Sequence, residues 1–236
     1  MEIDQKVLQN NVISHLQSQD PPIDDSIKRL LPNLVSKKVE DLDLSMFERE
    51  KMFKVYDALG KEHLRRGNFD QAEKAFILSE NREELTAIGK EYSQIGYFDK
   101  AVDAFKMAGN QQELLELGKK CMVHGNFKAA VLAFKEVGSK EYLKLIGQEC
   151  MERAKWTLAL EAFEALGETD QVTALGDKAA KDNEIGCAVH AYQLAGQMDR
   201  LNSLGDECLH NGDHATALEI YKITSNQKMI DFISRN

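Results

Sequence analysis

Two helical patterns alternate along most of the chain. Between Arg82 and Asn110, the apolar residues Leu85, Ile88, Tyr92 and Ile95 recur at three- and four-residue steps, which marks one face of a helix. Gly96 ends that helix, because glycine accepts the left-handed conformation found past a helix terminus. Asp99 opens the next helix, where a carboxylate suits the positive helix start, and Ala101, Ala104, Phe105 and Ala108 line one of its faces. Gly109-Asn110 then turns the chain back. The stretch predicts a pair of helices joined by a tight turn.

The pair recurs every 29 residues. Gly60, Gly89, Gly118, Gly147, Gly176 and Gly205 form a glycine column, and Ala72, Ala101, Ala130, Ala159, Ala188 and Ala217 an alanine column. Phe76, Phe105, Phe134, Phe163, Tyr192 and Tyr221 form an aromatic column. A fixed period of this length is the signature of stacked repeats. Glycine inside a helix costs about 1 kcal/mol relative to alanine, so its recurrence implies close approach of helices. Repeats begin near residues 53, 82, 111, 140, 169 and 198, and 227–236 opens a further first helix. The polar Lys228, Asp231, Ser234 and Arg235 suit a solvated end. Ala154 and Asn183 replace the turn glycine, and Trp156 and Ile185 replace the phenylalanine of Phe69, Phe98 and Phe127.

Residues 1–45 do not follow the columns. Ile3 to Leu16 predicts a helix, Pro21-Pro22 a break, and Asp24-Asp25-Ser26 the start of a short helix at Ile27. Pro32 predicts the first turn of another helix, to about Asp41. Ser45-Met46-Phe47-Glu48 matches a capping box and predicts the opening of a long helix to about Arg66. The organisation expected is an N-terminal helical cap or binding extension over 1–45 and a repeat domain over 46–236, since an end repeat needs its apolar face covered.

The spacing of Leu85, Gly89, Tyr92, Gly96, Ala101, Phe105 and Ala108 resembles the tetratricopeptide consensus. The usual unit has 34 residues and a proline near its end. Here the unit is 29 and that proline is missing, which is similar to the solenoid regions of coatomer, clathrin and intraflagellar transport subunits. The resemblance implies an all-α, right-handed α-solenoid of about six helix-turn-helix repeats. It also implies that the first helices line a concave groove, into which the residue after the column glycine points.

That residue is Lys61, Lys90 and Lys119 in the first three repeats, then Gln148, Asp177 and Asp206. The groove expected is basic at its N-terminal end and acidic at its C-terminal end, unless the column is merely a solvated charged face. The family's carboxylate clamp for chaperone tails uses a different arrangement of lysine and asparagine, which is absent.

Composition narrows the function. The net charge of −9 argues against nucleic acid, which attracts basic patches. No apolar run approaches the roughly 20 residues of a membrane helix. Met1-Glu2-Ile3-Asp4 lacks the regions of a signal peptide, so a cytoplasmic protein is expected. Cys121, Cys150 and Cys208 share one column and Cys187 stands on a second helix, so free, partly buried thiols are expected rather than disulfides. There is no phosphate loop, no Gly-x-Ser-x-Gly, no Cys-x-x-Cys and no His-Glu-x-x-His. Cys121 with His124, and Cys187, His190, Cys208, His210 and His214, match no zinc-ligand spacing.

The function expected is therefore a non-catalytic protein–protein interaction scaffold with no cofactor and no metal. Its partner is a peptide or protein subunit, acidic where it meets the basic end of the groove. The alternatives are a self-associating structural subunit of a trafficking-type assembly and a metal-dependent enzyme using the His/Cys cluster.

Overall fold

A computed structural model describes residues 24–235, so the helix expected over Ile3 to Leu16 lies outside the described residues. These residues form 14 α-helices and no strand. The first, α1 (Asp25–Leu34), is followed by a 3-10 turn (Val39–Asp41). The helices that follow pack in consecutive pairs, α2 (Arg49–Arg65) with α3 (Phe69–Leu78), α4 (Arg82–Gln94) with α5 (Phe98–Ala108), and α6 (Gln111–Val123) with α7 (Phe127–Val137). They continue as α8 (Lys140–Glu152) with α9 (Trp156–Leu166), α10 (Thr169–Lys181) with α11 (Ile185–Leu194), and α12 (Met198–His210) with α13 (His214–Ile223). The last helix is α14 (Gln227–Arg235). Each helix of a repeat packs chiefly against its pair mate. The chain divides after Val137 into two compact blocks.

In the first block, α1, the 3-10 turn and Leu44 form one apolar cluster with α2. Ile27, Val35, Val39 and Leu44 are buried together with Val55, Tyr56 and Leu59. The Val39 N–H donates to the Gln71 side chain at 2.8 Å, and Lys74 pairs with Glu40, whose carboxyl it holds down at about 2. Three boundaries differ from the sequence pattern. Asp24 caps α1 by accepting from the Ser26 N–H, so the helix starts at Asp25 rather than Ile27. Pro32 lies inside that helix instead of opening a new one, and only the short turn follows. Ser45 does not cap α2: its N–H donates to Asp43, the Phe47 N–H donates to the Leu44 carbonyl, and the helix begins at Arg49.

The column glycines receive aromatic rings. A Cβ at Gly60, Gly89 or Gly118 would stand 2.5–2.6 Å from the ring of Phe76, Phe105 or Phe134, closer than real Cβ contacts allow. The second block repeats the device, with Gly147 against Phe163, Gly176 against Tyr192 and Gly205 against Tyr221. The alanine column is fully buried in every pair. At the turns, Ala154 and Asn183 take the left-handed conformation of the glycines they replace, with φ of 55° and 61°.

Candidate functional site

The residues after the column glycines lie on α2, α4, α6, α8, α10 and α12. Lys61 is 8% exposed, with Nζ 3.3 Å from Asp57 and 3.8 Å from Glu84 on α4. Lys90 is half open and pairs with Glu113 on α6 at 2.8 Å, while Lys119 pairs with Glu116 on its own helix at 2.8 Å. Two of the three lysines therefore reach a carboxylate on the next first helix. Gln148 is half-buried on α8. Asp177 keeps the inter-helix link with its sign reversed, pairing with Arg200 on α12.

The two aspartates have a second task. Tyr192 donates its hydroxyl to Asp177 at 2.9 Å, and Tyr221 donates to Asp206 at 2.6 Å. The first four pairs carry phenylalanine in that column, and there the residue after the glycine is lysine or glutamine. Aspartate thus appears where a phenol needs an acceptor. Burial and the adjacent carboxylate together push the Tyr192 phenol up to about 12. The co-occurrence is visible in the sequence, but its reason needs the ring and the aspartate side by side.

An open cleft of about 720 Å³ lies over the free face of α4, closed by Leu64 of α2 and by Gly109 to Gln111 at the α5–α6 turn. Ala87 forms part of its wall, between the charged Glu84, Lys90 and Glu91. Sequence reasoning singles out Lys90 there. It misses Glu84 and Glu113, whose roles depend on the neighbouring helix.

Cys121 and Cys150 are buried, and loss of solvent pushes both up to about 11. Burial also raises Cys187 and Cys208. Thiol reactivity requires the thiolate, which these surroundings disfavour. Among the described residues, no group of three or more His, Cys, Asp or Glu side chains is placed to hold a metal ion. No helix among them is long and apolar enough to cross a membrane.

No protein-family profile matches the chain, and no curated protein matches it. Among solved structures it is similar to one described as a circular tandem repeat protein with novel repeat topology and enhanced subunit contact surfaces. The identity is 12% and the TM-score 0.21, over the whole of this chain and 58% of the length of that one. The described residues, with helices packed in consecutive pairs and recurring glycine–aromatic contacts, form an all-helical, repeat-like arrangement.

Proposed function

We propose that this chain is a non-catalytic interaction scaffold of the tetratricopeptide-like solenoid type, acting in the cytoplasm and binding a peptide or a protein subunit on its first helices. The observation that carries this reading is the cleft over α4, a concave surface with an alanine in its wall and charged side chains around it. A short side chain leaves room for an incoming chain, and the flanking charges give it direction.

Lys90 and Lys119 are the groove cations in this reading. Their present carboxylate partners do not block the role, because an exposed ion pair contributes only about 0.2–1 kcal/mol and can be exchanged for a partner's carboxylate. Lys61 is different. Its buried ammonium already lies between two carboxylates, and we assign it to holding α2 against α4. In the second block, Asp177 and Asp206 serve their tyrosines first, and only their remaining acceptor capacity faces a partner.

The test is affinity capture with the parent protein, followed by binding measurements on each identified partner with Ala87→Trp, which fills the cleft, and Lys90→Glu. Both variants should keep parental helical content; Ala87→Trp should bind at least about tenfold more weakly, a loss of about 1.4 kcal/mol, and Lys90→Glu roughly 1.5- to 5-fold more weakly, the worth of one exposed ion pair. Partners that bind both variants as tightly as the parent would move the interaction off this face.

A further inference from the structure

The seam between α3, α4 and α5 departs from the repeat at two places that lie together. Glu73 on α3 stands in a column that is otherwise apolar: Val102, Val131 and Leu160 are buried there, and Val189 and Leu218 half-buried. Tyr92 on α4 stands in the column of Cys121, Cys150, Ala179 and Cys208. Its side chain is only 2% exposed, and its hydroxyl has no hydrogen-bond partner among the described residues. Burial acts first on that hydroxyl, and Glu73 and then Asp70 are the charges that act on it.

The charges around the pair do not balance. Asp70, Glu73 and Asp103 are three carboxylates; Lys100 acts on Glu73, and Lys106 acts on Asp103 but is already paired with Glu136. Lys100 is committed to Asp70 at 3.3 Å and lies 5.4 Å over the Tyr92 ring. Glu73 and Asp103 have no hydrogen bond or ion pair among the described residues. Burial raises the Glu73 carboxyl above the usual range; Lys100 opposes this and the two aspartates add to it. A half-buried carboxylate without a cation weakens a fold, and the other repeats avoid it with valine or leucine.

We propose that this seam binds a basic side chain of a protein partner, an arginine or lysine whose N–H groups reach Glu73 and Asp103 beside Tyr92. The carboxylates do not converge as a metal cage would require, since no three acidic, histidine or cysteine side chains among the described residues are placed to hold an ion. A guanidinium or ammonium is larger, carries several donors and does not need the short distances of a metal–oxygen shell. The site lies on the second-helix side, away from the cleft over α4, and gives the protein a surface for basic segments.

The probe is a capped tetra-arginine peptide, titrated into the full chain at low salt. Glu73→Gln with Asp103→Asn should weaken binding by roughly 2- to 30-fold, the loss of two ion pairs. Glu83→Gln with Glu116→Gln, an equal loss of charge on the first-helix side, should change it less than about twofold. Glu73→Val inserts the residue type of its own column, so it should weaken the peptide and raise the melting temperature together. Binding that Glu73→Val leaves intact, equal weakening by the two double variants, or a parent chain that does not bind the peptide would each overturn the proposal.

Discussion

Lys90 Nζ stands 2.8 Å from a carboxylate oxygen of Glu113, joining α4 to α6 across two successive pairs. The same link is made in reversed sign by Asp177 and Arg200, joining α10 to α12. One position of the repeat therefore ties neighbouring first helices together electrostatically, whichever partner carries the positive charge.

The pair is partly exposed, so its contribution is expected at about 0.2–1 kcal/mol. Lys90→Glu and Glu113→Lys should each destabilise the fold in urea titrations. The double variant should recover most of the loss, because the reversed order already occurs at Asp177 and Arg200. Losses that simply add would show that the two charges do not interact.

Two glycines should respond oppositely to alanine. Gly118→Ala places a methyl 2.6 Å from Phe134 and should overpack, costing about 1–3 kcal/mol. Gly186, inside α11, has open space where a Cβ would stand, with no neighbouring group within 4 Å and no positive φ. Gly186→Ala should therefore stabilise by about 0.4–1 kcal/mol. Denaturation midpoints decide this, and a shared sign would contradict the assigned packing.

Ala154 holds a left-handed φ of 55° at an exposed turn. An L-residue pays about 1–2 kcal/mol in that region, while glycine gives back part of this through its freer unfolded chain. Ala154→Gly should therefore raise the denaturation midpoint. The parallel change at Asn183 should gain less, because asparagine tolerates the conformation better.

Much of this architecture is legible in the sequence because small and aromatic columns record contacts between side chains of one repeat. Gly89 and Phe105 announce their contact by recurring together. The cap boundaries are harder. Ser45 and Glu48 have the letters of a capping box, but Asp43 accepts the Ser45 N–H first and the box is not used. Pro32 fits a helix start in isolation, yet Asp24 has already started that helix. The lysine column reads as a row facing a partner because Glu84 and Glu113 belong to the next repeat, where periodicity shows a charge but not which lysine it meets. Glu73 leaves a signal, a carboxylate in a column of valine and leucine, that only a buried phenol beside it makes meaningful.

His63 gives the fold a pH dependence. It occupies the buried column of Tyr92, and neither ring nitrogen has a partner among the described residues. Burial lowers its pKa first and Arg66 next, with Glu62 opposing. The unfolded chain therefore takes up a proton near the ordinary value of about 6.5, before the folded chain does. This histidine's contribution is fully present above that pH and is lost as the pH falls towards the depressed folded value. Melting temperatures between pH 8 and 5 should fall more steeply for the parent than for His63→Tyr. Parallel curves would show that the histidine protonates without penalty.

The central claim is that the columns describe one repeated pair of helices, stable through its own contacts and those with its neighbours. The most direct measurement compares two deletions in the second block by circular dichroism and thermal melting. Removing Thr169 to Gln197 takes out α10 and α11, a whole period of 29 residues, and leaves every remaining column in register. That variant should stay helical and melt cooperatively at a reduced temperature, as expected where stability sums over repeats and interfaces. Removing Thr169 to Asn183 takes out α10 alone and leaves the ring of Tyr192 without its glycine. That variant should lose cooperative melting, and a half-period deletion that melts like the whole-period one would contradict the account.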